Sequence, residues 1–171
     1  MVAKMLNMGA RAFEFLWTLL IMALVGNMIA TAYSGNPSIV NYVMFVSVFS
    51  MLSLFYLIPA TIKEGFAIPV VVIALDVLNL IFFLCGAIAL AAYLGAHSCS
   101  NSNYTSHNLV TNGSHDMEKR CREAQANTAF LWFGFAAYAA SAVLSFMQGK
   151  NSGINMRAGG IRRGAPAMSQ V

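Results

Sequence analysis

Four long apolar runs set the pattern of this chain, parted by short polar breaks and one long polar segment. The first run goes from about Phe15 to Tyr33, after a short start that carries Lys4 and Arg11. Ser34-Gly35-Asn36-Pro37-Ser38 then breaks it, and so short a connection returns the next helix antiparallel. The second run, Asn41 to Ile62, has Ser47, Ser50 and Ser53 three apart, and Pro59 near its end, where proline kinks or stops a helix. Lys63-Glu64-Gly65 is the next break, and Pro69 opens the third run, Ala67 to Leu94. The polar segment 97–125 follows, and the fourth run goes from about Thr128 to Met147. Each run reaches about 20 residues, enough to cross a hydrocarbon core ~30 Å thick.

The pattern predicts an all-α protein: an integral-membrane four-helix bundle with helices at about 13–33, 41–62, 67–95 and 127–147. Residues 1–12 form a short N-terminus, 97–125 an outer loop, and 148–171 a basic, Gly-rich tail without apolar periodicity, expected to be disordered. No heptads are evident, and no convincing repeat relates the two helix pairs. Ala30-Thr31-Ala32 resembles a signal-peptidase site. The run before it is longer than the 7–15 residues typical of a cleavable segment, so an uncleaved first helix is expected.

Composition agrees with this class. The chain is 58% hydrophobic and 9% charged, with mean hydropathy +0.66. A soluble domain carries about a quarter charged residues. The net charge of +4 would suit nucleic acid, but the basic residues sit at the ends of apolar runs and no nucleic-acid motif accompanies them.

Four spans put both termini on one side, with Lys4, Arg11, Lys63, Lys150, Arg157, Arg162 and Arg163. That excess predicts cytoplasmic termini. The sequons at Asn103 and Asn112, glycosylated only in the lumen, fall in the opposite loop. So do Cys99 and Cys121, which would pair only in an oxidising compartment. Their disulfide would tie together the ends of the third and fourth helices; two free thiols are the alternative. Cys85 reads as a small buried hydrophobe.

Asp76 and Asn79, three apart in the third run, share a helical face near mid-bilayer. No Lys or Arg lies inside an apolar run to pair with Asp76, so a protonated or hydrogen-bonded carboxyl is expected, meeting Asn79, Asn27 or a serine of the second helix. An ionisable group at that depth reads as functional by default, either as interhelical glue or as part of a transport path. Ala87, Ala91 and Gly95 in the third helix, with Ala136 and Ala140 in the fourth, form small-residue faces for helix packing and lateral association. Trp132, Phe133 and Tyr93 suit an interfacial aromatic belt. Arg157, Arg162 and Arg163 are candidates for contact with anionic inner-leaflet lipid. The histidines match no usual metal-site spacing, and no GxSxG, HExxH or P-loop occurs; no enzyme activity, metal or cofactor is expected.

Leu75-Asp76-x-Leu78-Asn79 is followed by Ala96-His97-Ser98-Cys99-x-Asn101-x-x-Tyr104 and by Arg120-Cys121-Arg122-x-Ala124-Gln125-Ala126. With Ala129-Phe130-Leu131 and the ending Ser169-Gln170-Val171, these segments resemble the fungal nonclassical export protein family, four-helix MARVEL-domain proteins. The likeness is densest from the third helix to the start of the fourth. It implies a multi-pass plasma-membrane protein of sterol- and sphingolipid-rich patches. It further implies association with eisosomes, the protein coats under furrow-like invaginations, and links to sphingolipid sensing and to secretion without a signal peptide. The expected function is therefore a non-enzymatic membrane organiser, with lipids and either further copies of itself or eisosome proteins as partners. A small channel or transporter subunit using Asp76 is the alternative. The first outer loop is too short for a claudin, and the CCG motif of tetraspanins is absent.

Overall fold

The structure, a computed structural model, describes residues 2–33, 35–63 and 66–151. Four long helices, α1 (Val2–Ala30), α2 (Ser38–Ile62), α3 (Pro69–Leu94) and α5 (Met117–Asn151), are joined by two short links and by a folded segment that holds the short helix α4 (Ser102–His107). All four long helices are apolar and long enough to cross a membrane. Among the described residues no strand forms; an isolated antiparallel bridge links Ala32 to Ser114.

The helices form a square. Neighbours are α1 with α2, α2 with α3, α3 with α5 and α5 with α1, so α1 faces α3, and α2 faces α5, across the diagonals. The α3–α5 contact is the most extensive and α2–α3 the least.

Each helix buries a narrow seam. On α1 it is Asn7, Arg11, Glu14, Thr18, Ile21, Val25 and Met28, at spacings that alternate four and three. Leu131, Gly134, Tyr138, Ser141 and Ser145 do the same on α5. Such alternation averages 3.5 residues, the heptad rule of left-handed bundles. The heptads not evident in the sequence are thus present. They are invisible to a hydrophobicity pattern because the outward positions are apolar too: Leu52 is 63% and Phe55 69% exposed.

Close approach of α3 and α5 rests on Gly134. A Cβ on Gly134 would sit 2.2 Å from the ring of Phe83, whereas one on Gly86 would touch Leu131 at an ordinary 3.5 Å. The predicted small-residue faces are only partly in the core. Ala87 is buried, Ala91 half-buried, and Ala136 and Ala140 face outward. Gly95 is not a packing residue: it is the exposed C-cap of α3, at φ 61°, a conformation that favours glycine.

Boundaries shift most at two helix starts. α1 begins at Val2, not near residue 13, because Asn7 and Arg11 point into the bundle and the helix is not confined to its apolar run. α5 begins at Met117, not near 127; Asp116 caps it, its Oδ1 accepting from the Lys119 amide at 3.0 Å. The first ten residues of α5 are amphipathic, with Cys121 and Ala124 inward and Lys119 and Arg122 outward. Pro59 does not end α2 at its own position; the helix runs on to Ile62. Arg157, Arg162, Arg163 and the expected disorder of the tail lie outside the described residues.

Candidate functional site

The polar half of the α1 seam lies towards the end of the bundle that holds the N-terminus. Arg11 reaches from α1 across the diagonal to Asp76 on α3, donating through Nη1 at 2.5 Å and Nη2 at 2.8 Å. A guanidinium fork suits this geometry, because it satisfies both carboxylate oxygens at once. Nη1 also donates to Glu14 Oε2 at 2.9 Å, one turn along α1. From α5, Ser145 donates its hydroxyl to Asp76 Oδ2 at 2.9 Å. Arg11, Glu14 and Asp76 are at most 2% exposed. The buried triad therefore joins α1 to α3, and with Ser145 also to α5, through charge-assisted bonds in a medium of low dielectric.

This arrangement corrects the sequence reading of Asp76. Its partner is Arg11, which belongs to the membrane-embedded seam and not to a polar N-terminus. Asn79 does not bond to Asp76; its Nδ2 donates to the Leu75 carbonyl at 2.9 Å, and its Oδ1 has no partner. Asn27 pairs instead with Glu123 of α5, at 2.6 Å. Asp76 also lies off the middle: seven residues from Pro69 place it ~10 Å from that end of α3.

A second brace crosses the other diagonal. Ser50 of α2 is hydrogen-bonded to Tyr138 of α5 at 2.5 Å and to Thr18 of α1 at 2.8 Å, hydroxyl to hydroxyl. Tyr138 meets Phe83 in a tilted ring contact, centroids 5.2 Å apart, and Phe83 is the ring seated over Gly134. Glu14 Oε1, Arg11 Nε, Asn7 Oδ1 and Ser141 Oγ, all buried around the triad, make no hydrogen bond.

The opposite end is clasped by Arg120. Its guanidinium donates to the Met28 carbonyl, to the Val110 carbonyl at 2.7 Å and to Asn36 Oδ1 at 2.9 Å, joining α1, the α1–α2 turn and the long segment. Cys99 and Cys121 form a disulfide, with Cα atoms 5.6 Å apart. Asn101 caps α4, and the Tyr104 hydroxyl donates to the Leu94 carbonyl. His97 stacks on Tyr104 at 4.6 Å. The segment read as an outer loop is thus a folded cap. Asn103 is exposed on it; Asn112 is half-buried, its carbonyl accepting from the Tyr33 hydroxyl at 2.9 Å. Cys85 is exposed on the outer face of α3, not buried; a thiol is apolar enough to face lipid. With Tyr42, Ala89 and Tyr93 it lines a shallow groove of about 410 Å³ between α2 and α3.

Residues 4–144 match the MARVEL family, described as a membrane-associating domain, and so cover all four long helices. The chain is a MARVEL protein. It is also 34% identical to Non-classical export protein 2 of Saccharomyces cerevisiae over 168 residues, covering 94% of this chain and 95% of that one. Identity to Non-classical export protein 102 of Candida albicans is 37% over 164 residues, with the same shares of 94% and 95%. A homolog of Non-classical export protein 2 in Schizosaccharomyces pombe is 29% identical over 147 residues, 82% of this chain and 76% of that one. This MARVEL chain thus falls among the non-classical export proteins, as the resemblance implied. No solved structure matches it. It is a multi-pass membrane protein of four helices.

Arg11, Glu14, Tyr138 and Ser145 escape a reading of the sequence by hydrophobic runs. A usable signal was there: Asn7, Arg11, Glu14 and Thr18 keep the four–three spacing of the apolar residues that follow them.

Proposed function

We propose that this MARVEL protein is a non-enzymatic organiser of the plasma membrane, gathering sterol- and sphingolipid-rich patches and eisosome-type furrows and serving export without a signal peptide. One observation carries the reading: the bundle turns its polar groups inward, onto one another, and presents an apolar wall to its surroundings. Such a body acts through what packs against it. Outward-facing Ala136 and Ala140 supply small-residue surface for contact with lipids, further copies or furrow proteins. The names of the relatives in two yeasts support the link to export. A transport path through Asp76 has less support, because both its oxygens are engaged by Arg11 and Ser145.

The proposed orientation has both termini in the cytoplasm, Asn103, Asn112 and the disulfide outside, and Arg157, Arg162 and Arg163 at the anionic inner leaflet. Fluorescence imaging of a tagged chain, with and without sphingolipid depletion, tests the function. Patches that disperse on depletion are expected; uniform distribution under both conditions overturns it.

A further inference from the structure

We propose that the Arg11–Glu14–Asp76 cluster is a proton-binding site, with Glu14 holding the proton. The argument begins with charge. The cluster contains one cation and two carboxyls, all at most 2% exposed, so full ionisation leaves one uncompensated negative charge inside a membrane bundle. A charge without a partner there is expensive, and uptake of one proton removes it.

Geometry assigns the proton. Asp76 is satisfied as a carboxylate: Oδ1 accepts from Arg11, and Oδ2 accepts from Arg11 and Ser145. Glu14 is engaged through Oε2 only, and its buried Oε1 has no partner. Ser141, fully buried on α5, lies within interaction range of the Glu14 carboxyl without completing a hydrogen bond in good geometry. A proton bonded to Glu14 Oε1 turns that oxygen into a donor, for which Ser141 Oγ is a neighbouring acceptor. The step is Glu14–COO⁻ plus H⁺ giving Glu14–COOH, and no other bond changes.

The groups around the site are consistent with this. α1 contributes Asn7, Arg11 and Thr18, with Lys4 a turn further out; α2 contributes Ser50; α3 contributes Asp76; α5 contributes Tyr138, Ser141 and Ser145. Arg11 is the cation in contact with both carboxyls. Asn7, 7% exposed and with an unpartnered Oδ1, is the next polar group along the seam towards the N-terminal end.

The site does not depend on the organiser reading, because its test is spectroscopic. Infrared spectra of the purified full-length chain in lipid nanodiscs report a protonated carboxyl by its C=O stretch. The wild type at neutral pH is expected to show one such buried band, lost as pH rises. Glu14→Gln is expected to lose it while keeping the fold, since Gln mimics the neutral acid. Asp76→Asn is expected to lose it too, because Arg11 and Glu14 then balance as ions. A neutral-pH wild-type spectrum without the band overturns the proposal, as does a band that persists in Glu14→Gln. If Asp76→Asn fails to fold, the comparison of wild type with Glu14→Gln still decides. Stability provides a second readout. If the native state holds one proton more than the unfolded chain, thermal stability falls as pH rises, and Glu14→Gln removes that slope. An unchanged slope in the variant argues against Glu14.

Discussion

Arg11 and Asp76 lie 65 positions apart and form the strongest polar contact between diagonal helices. A buried pair broken from one side leaves an uncompensated charge, and the cost is about 3–5 kcal/mol. Arg11→Gln is therefore expected to lower stability by that order, measured by thermal unfolding in nanodiscs. The double variant Arg11→Gln/Asp76→Asn is expected to recover most of the loss; failure to recover would mean that the pairing contributes little. The Tyr138–Ser50 brace is neutral, and Ser50 keeps Thr18 when the phenol is removed. Tyr138→Phe should accordingly cost only about 0.6 kcal/mol, the average for interhelical hydrogen bonds in membranes, and at most ~1.7 kcal/mol, by thermal unfolding in nanodiscs.

At the scale of elements, helix pairs are held by shape as much as by polar contacts. Gly134 lies under Phe83 so closely that an alanine there forces ring and backbone apart, while Gly86 has room for a methyl group. Gly134→Ala should destabilise by about 1–3 kcal/mol and Gly86→Ala by clearly less, as thermal melts of the two variants would show. Similar melts would remove the distinction between a tight and a loose crossing. The Cys99–Cys121 disulfide ties the folded cap to the start of α5 across a separation of 22 residues. Cys121→Ser should cost roughly 3 kcal/mol in the chain-entropy account. An unchanged melting temperature in oxidising buffer would show that the Arg120 contacts alone hold the cap. Those contacts join four stretches of chain and would have been hard to anticipate, since Arg120 sits among surface charges in the sequence.

For the whole molecule, the square bundle separates two ends of different character. One holds the proton site and the N-terminus; the other holds the disulfide, the Arg120 clasp and the sequons. With the proposed orientation, glycosidase treatment should shift the mass of a chain carrying sugar at exposed Asn103, and Asn103→Gln should abolish that part of the shift. In sealed vesicles with the cytoplasmic face outward, protease should remove the tail and spare the cap. Protection of the tail would reverse the topology and move the proton site to the outer side.

The sequence by itself determined the number of spans and their breaks. A bilayer imposes a length and an apolarity that any spanning helix must meet, and turn residues mark where it cannot continue. It also put the two cysteines and both sequons in one polar segment, and the Asp76–Asn79 context carried the family. What the tertiary structure alone decided was which polar groups meet. In water the polar face of a helix marks its outside; in lipid the outside is apolar, and Arg11, Glu14 and Asp76 turn inward, against the pattern that a reader uses. Arg11 could then be taken for a topology signal at a helix end, when only the approach of α1 and α3 across the bundle makes it the counter-ion of Asp76.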